Sequence, residues 1–252
     1  MSALAFGPHD ARFLPLEGTL NTRDLGGLPA GGGRVTLPGR VLRSDGPASL
    51  TDADLSLLSR LPLTTVVDLR GKRECEREPS RFLSHPGVNV HNVEVWSHID
   101  AAGQHPTDRF DITAFYLAAL DHAGPAFAEA TRLIADAPGA SLFHCSAGKD
   151  RTGLLAALLL EAVGVDRATV LEDFALTEDR IGPLRQRLLD QAERDGVART
   201  EFVRLLGATP DLMAPALDHL DARYGGALPY LSGIGVSEDT LEKLEKKLVG
   251  QG

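Results

Sequence analysis

At 252 residues, with 43% hydrophobic and 24% charged side chains, the chain can bury a sizeable core and has the balance of an ordinary soluble globular protein. Its 26 cations against 35 acids leave a formal charge of −9, so no global field favours nucleic acid or an anionic membrane, and any attraction for phosphate must be local. Two cysteines, Cys75 and Cys145, exclude a disulfide framework and a cysteine-rich zinc site.

Residues 1–16 read as an arm that pins onto the body through Phe6, Phe13 and Leu16. They lack the basic flank and apolar run of a signal peptide, which makes a cytoplasmic location the expectation. Asn21 to Gly33 is rich in glycine and turn formers and reads as a hairpin-like connection, with no strand–turn–helix unit around it to make a dinucleotide fingerprint. Arg34 to Leu37 and Arg40 to Arg43 look like short strands. Thr51 can cap a helix, with Asp54 in the box position, that turns Leu55, Leu58 and Leu61 inward. Thr64 to Leu69, β-branched and apolar, reads as a central parallel strand. Asp68 and Arg70 close it, either pointing toward a site beyond the strand's carboxyl end or capping the Gly71 to Glu78 segment. Lys72, Arg73, Arg77 and Arg81 form a local basic cluster, readable as a solvated face or as a second phosphate contact. Cys75 in the same stretch reads as an isolated thiol or as a resolving partner for an oxidised Cys145.

Val88 to Val95 alternates and reads as a further strand. Trp96 to Thr113 is polar and irregular, with His98, Asp100, His105, Asp108 and Asp111 at no spacing that suits a metal, so no metal is expected. Ile112 to Leu120 and Pro125 to Ile134 read as amphipathic helices, and about 96–135 as a region able to cover a site. Beyond residue 150, helices are expected over Thr152 to Val163, Asp166 to Leu176, Asp179 to Glu193, Glu201 to Leu206 and Pro210 to Arg223. A capped helix ends near Val249. No stretch is apolar for long enough to span a bilayer, and no linker divides residues 1–252, of which about 166–252 form a helical C-terminal part. The expectation is one α/β domain: a central, mostly parallel sheet of about four or five strands flanked by helices, with a helical lid.

One stretch carries chemistry. Ala140 to Phe143 ends a buried strand, Leu154 to Leu160 begins an aliphatic helix, and His144-Cys145-Ser146-Ala147-Gly148-Lys149-Asp150-Arg151-Thr152 lies between them. A loop feeding a helix N-terminus aims backbone N–H groups and the positive end of the helix dipole at one point, an anion site where a thiolate is stabilised. Arg151 adds a planar fork that fits two phosphate oxygens. A nucleophile, an anion cradle and a clamp together describe phosphoryl transfer through a cysteinyl-phosphate. A P-loop NTPase is excluded, because Asp150 follows Lys149 where Ser or Thr is required and Phe143 stands where the first glycine belongs.

The string His-Cys-(five residues)-Arg-Thr resembles the HCx5R[ST] loop of the protein tyrosine phosphatase superfamily. The fuller string, with Asn21-Thr22-Arg23-Asp24-Leu25-Gly26-Gly27, Leu42-Arg43-Ser44-Asp45 and Val67-Asp68-Leu69-Arg70, is similar to a bacterial group of tyrosine and lipid phosphatases. The resemblance spans most of residues 17–180 and implies a metal-free, cofactor-free, cysteine-based phosphatase with Cys145 as nucleophile and Arg151 as clamp. It gives Ser146, Ala147, Gly148, Lys149 and Thr152 to phosphate binding, with Thr152 or Ser146 donating to the sulfur, and His144 to orienting the loop. Arg23 and Asp24 would brace the loop, with Asp68 and Arg70 as further support. Asp150 is the first choice of general acid, Asp100 the alternative, and Asp68 a competitor. Lys149, a second cation in the loop, suits substrates with extra phosphates. Expected partners are a phosphorylated protein, phosphotyrosine first with phosphoserine and phosphothreonine allowed, or a phosphoinositide, without nucleic acid or stable membrane insertion. Export without a signal occurs in the group. A phosphopeptide-binding module that does not turn over and a sulfurtransferase are the competing readings.

Overall fold

The structure is a computed structural model and describes residues 12–102, 111–194 and 196–249. Phe6, His105 and Asp108 lie outside them. The first strands are short: Arg23–Asp24 (β1), then Pro29–Ala30 (β2) and Arg34–Val35 (β3), which pair as a hairpin of their own. Val41–Ser44 (β4), Leu63–Asp68 (β5), Asn89–Asn92 (β6) and Ala140–His144 (β7) join β1 in a five-stranded sheet ordered β1-β4-β7-β5-β6. The four longer strands run parallel and β1 lies antiparallel on β4.

Successive side chains on a strand face opposite ways, and here both faces are covered. Val41, Val67 and Phe143 enter the larger core, while Leu42, Val66 and Leu142 enter the smaller. Asp52–Leu58 (α1), opened by the expected Thr51–Asp54 capping box, and the turn at Arg81–Ser84 close the smaller core with Leu58 and Phe82. The larger core lies under the remaining long helices. These are Ile112–His122 (α4), Gly124–Asp136 (α5), Asp150–Ala162 (α6), Arg167–Arg180 (α7), Pro210–Tyr224 (α10) and Glu238–Val249 (α12), while Gly182–Arg194 (α8) stands outside that core. Shorter turns of helix are Lys72–Arg77 (α2), Trp96–Ala102 (α3), Arg199–Phe202 (α9) and Ala227–Gly233 (α11). Leu154 through Leu160 are all buried, because α6 has β4 and β7 on one side and α5, α7 and α11 around the rest.

Four elements depart from the sequence expectation. The strand expected over Val88 to Val95 stops at Asn92, and α3 occupies part of the stretch that reads as irregular. Within the region expected to cover the site, α5 is a core helix: Phe127, Ala130, Thr131 and Ile134 are fully buried, and it packs on α12. The helix α11 had no signal, since Pro229 and Gly233 sit inside it. Among the described residues no helix is long and apolar enough to cross a membrane.

Candidate active site

β7 is the central strand, and its carboxyl end delivers residues 145–149 between the ends of β4 and β5, directly into α6. Gly148 holds φ +64, and a Cβ there would lie 2.5 Å from the Ser44 carbonyl oxygen, so only glycine lets the loop pass this close to β4. Cys145 is buried at the base of the loop. Among the described residues, the backbone N–H groups of Ser146, Ala147, Gly148 and Lys149 have no acceptor. Two buried side-chain donors nearby, Arg151 Nε and Thr152 Oγ1, also lack a partner. Buried donors are rarely left unmade, and these two side-chain donors, beside four unpaired amides in the loop after Cys145, suit an anion.

Arg151 is aimed by α2 and α3. Its Nη1 and Nη2 donate to Glu74 Oε2 and Oε1 at 2.6 and 2.8 Å, and its guanidinium lies 5.6 Å from the centre of the Trp96 ring. Ser146 Oγ donates to the same Glu74 carboxylate at 2.5 Å. That leaves Thr152, whose hydroxyl is uncommitted, as the hydroxyl able to serve the sulfur. Burial alone would raise the Glu74 pKa, but Arg151 and Ser146 pull it down to about 2. Burial likewise opposes the charge on Arg151, yet Glu74 keeps its pKa above the ordinary value.

A second cluster lies on the other flank. Asp173 of α7 takes Arg12, Arg23 and Arg43 at 2.8, 3.1 and 2.6 Å, all four side chains being buried. Burial raises the Asp173 pKa, but three cations drive it far below the carboxylate range. Arg23 falls to about 9, through burial first and then the neighbouring Arg43. Arg43 Nη2 and Asn21 Nδ2 reach from this cluster to the loop carbonyls.

The remaining expected residues sort by what they touch. His144 is fully buried; its Nδ1 is 3.1 Å from the Cys145 carbonyl, its Nε2 is 3.6 Å from Asp68, and burial lowers its pKa. Arg70 grips both oxygens of Asp68, at 2.9 and 2.7 Å. Burial would raise the Asp68 pKa, but Arg70 holds it below the ordinary value, and both its oxygens are taken by that guanidinium, an arrangement that suits support. Arg23 acts through Asp173 and Asn21 and does not touch the loop itself. Asp24 is a correction: its oxygens hold the Gly26 and Gly39 amides, bracing a turn and not the phosphate loop. Lys149 is corrected in the same sense. Its side chain is buried, with the ammonium on the carbonyls of Leu205 and Gly207 and 3.0 Å from Asp150, so only its backbone N–H is offered to phosphate. Asp150 sits in the first turn of α6, partly exposed, and its Oδ1 accepts from Tyr116 at 2.6 Å. Asp100 is exposed on α3, four residues after Trp96. Cys75 lies 3.5 Å from Asp68, and its thiol is pushed up to about 11, first by burial and then by that carboxylate, which makes it a poor thiolate. Lys72, Arg73 and Arg77 are exposed on α2.

Sequence reasoning missed Asn21, Arg43, Glu74, Trp96, Tyr116 and Asp173. Asn21 and Arg43 stood inside strings quoted for other residues, and Glu74 occupied the third position of a short helix, where it reads as a capping carboxylate; its Oε2 does accept from the Gly71 amide at 2.9 Å. Nothing local marked Tyr116 or Asp173.

The profile of the tyrosine phosphatase family matches residues 14–250. The triple specificity protein phosphatase PtpB of Mycobacterium tuberculosis is 29% identical over 280 aligned positions, covering 93% of this chain and 98% of that one. A Cupriavidus necator protein, named by inference a tyrosine-protein phosphatase, is 32% identical over 237 positions, 89% of this chain and 84% of that one. The tyrosine-protein phosphatase of Nostoc commune is 29% identical over 221 positions, 79% of this chain and 70% of that one.

Proposed function

The chain belongs to the tyrosine phosphatase family, and on that premise we propose that it hydrolyses phosphate monoesters in two steps through a phosphocysteine at Cys145. The observation that carries the reading is the set of unmade donors around the thiol: four consecutive amides, Arg151 Nε and Thr152 Oγ1. They suit the equatorial oxygens of a phosphoryl group better than any neutral ligand.

In the first step the Cys145 sulfur attacks phosphorus, the S–P bond forms and the P–O bond to the leaving group breaks. Asp150 gives its proton to the departing oxygen. Tyr116 donates to Oδ1 of that side chain and the Lys149 ammonium lies 3.0 Å from the same oxygen, leaving Oδ2 to face the leaving group. In the second step water attacks phosphorus, the S–P bond breaks, Asp150 takes a proton back, and Thr152 stabilises the leaving thiolate. Arg151, held by Glu74 at both Nη atoms, presents Nε to the phosphoryl oxygens throughout.

The proposed substrate is phosphotyrosine, with phosphoserine, phosphothreonine and phosphoinositides as extensions. The extension to inositol lipids loses the support of Lys149, whose ammonium is engaged inside the protein. Phosphate release is measured for wild type and Cys145→Ser, side by side, from a phosphotyrosine peptide and from a phosphoinositide. Release by wild type that falls to background in the variant is expected. No release by folded, reduced wild type from either substrate sinks the reading in favour of a phosphopeptide-binding module.

A further inference from the structure

We propose that Asn21 is a positioning residue for the phosphate cradle: its one amide turns two of the four phosphate-facing peptide groups of the loop and locks them against flipping. The proposal rests on the reading of residues 145–152 as the phosphate site.

A trans peptide is planar, so a carbonyl fixed in one direction sends the next residue's N–H in the opposite one. The direction of the four free amides is therefore set by what holds the carbonyls of Cys145, Ser146, Ala147 and Gly148. Each has a donor. His144 Nδ1 lies 3.1 Å from the Cys145 oxygen, and the Gly46 amide donates to Ser146 at 3.0 Å. Asn21 Nδ2 donates to Ala147 at 3.2 Å and to Gly148 at 3.1 Å, and Arg43 Nη2 adds 2.8 Å to Gly148. That amide of Asn21 thus orients the N–H of Gly148 and shares with Arg43 the orientation of the N–H of Lys149.

The peptide between Ala147 and Gly148 needs such a lock more than its neighbours. Flipping it changes ψ of Ala147 and φ of Gly148, and glycine accepts either sign of φ, so sterics alone do not prevent the flip. The glycine that close packing on β4 demands is thus also the weak point of the cradle, and the Asn21 contact falls on that point.

Asparagine fits because it carries an acceptor and a donor on one rigid group. Its Oδ1 accepts from Arg23 Nη1 at 2.5 Å, and its backbone N–H is held by Asp45 at 3.0 Å, so the NH2 can face only the loop and Thr177. Arg23 is in turn gripped by Asp173. The buried cluster therefore acts on catalysis through the aim of two backbone amides, without touching substrate.

Asn21→Asp keeps the acceptor for Arg23 and removes the donors but adds a negative charge near the loop, so an effect counts for positioning only where the neutral Asn21→Ala shows it too. Asn21→Ala serves as the second variant. Three quantities are read: thermal melting, calorimetric binding of tungstate as a phosphate mimic, and kcat and KM for p-nitrophenyl phosphate. Both variants are expected to melt cooperatively. Tungstate should bind about tenfold or more weakly and kcat should fall roughly 10²-fold, the scale for losing one oxyanion donor. Folded variants whose tungstate affinity and kcat stay close to wild type overturn the proposal, and so does a failure of both variants to fold. Wild type that binds tungstate but releases no phosphate sinks the hydrolytic reading alone, and the tungstate arm still decides the role of Asn21. Wild type that does not bind tungstate overturns both.

Discussion

The catalytic loop is held on two flanks by charge, and the flanks are built on opposite terms. On the β1–β4–α7 flank, three guanidiniums share the one carboxylate of Asp173, every group is buried, and the contacts that reach the loop go to its carbonyls. On the α2–α3 flank a single carboxylate, Glu74, holds a single guanidinium, that of Arg151, and the Glu74 side chain is 35% exposed. The first arrangement cannot be undone by a ligand, because water and substrate do not reach it; it sets shape. The second opens to solvent only through Glu74, on a helix of six residues, and the guanidinium it holds is buried and is the one proposed to meet phosphate. A site that must be rigid where it aims and accessible where it binds is served by burying one ion cluster wholly and leaving the carboxylate of the other partly open.

The largest expected effect is on the buried flank. Asp173→Asn leaves Arg12, Arg23 and Arg43 packed together without their common anion. Removing one partner of a buried pair costs about 3–5 kcal/mol, and three cations on one site place this change at the upper end. Urea denaturation should show that loss, with a smaller loss for any single arginine. A variant destabilised by less than about 1 kcal/mol would erase the distinction between the flanks.

These two flanks also mark how far sequence reading reaches. The strands β5 and β7 and the helix α6 were legible because their apolar runs are local and buried on all sides, and the loop was legible because cysteine, glycine and arginine lie within seven residues. The bracing was not. Glu74 stands 77 residues from Arg151, Asp173 lies 150 from Arg23, and Asn21 lies 127 from Gly148. No periodicity links such pairs; only the sheet order brings them together. Lys149 misled for the converse reason. A lysine beside a phosphate loop reads as a phosphate ligand until the 205–207 segment, more than fifty residues away, supplies carbonyls for it.

Asp150 belongs to neither cluster, and its variant sharpens the comparison by reporting on chemistry without either ion pair. Asp150→Asn keeps an acceptor for Tyr116 and removes the transferable proton. General acid catalysis contributes about 10²–10⁴-fold, so an alkyl phosphate should be slowed about 10²-fold or more, while a nitrophenyl ester, whose leaving group hardly needs a proton, should be slowed far less. Equal losses on both substrates would remove the acid role from Asp150 and return attention to Asp100 on α3.

The smallest effect, and the one that most directly tests the exposed flank, is expected for Glu74→Gln. Glutamine can still meet Arg151, but through a neutral contact about half as strong as the charged one, so kcat should fall about tenfold and the melting temperature near neutral pH should drop, since the charged pair contributes fully there. The pH dependence gives the sharper reading. The folded-state pKa of Glu74 is about 2 against an ordinary 4.5, so between those values the native carboxylate stays ionised while the unfolded chain takes up a proton. Its contribution to stability is complete above about 4.5 and is lost as the pH falls toward 2. Unfolding free energies measured from pH 5 down to pH 2 should therefore fall more steeply for wild type than for Glu74→Gln. Parallel curves would mean that Glu74 and Arg151 are not joined in solution, and the clamp would then have to be aimed by the Trp96 ring alone.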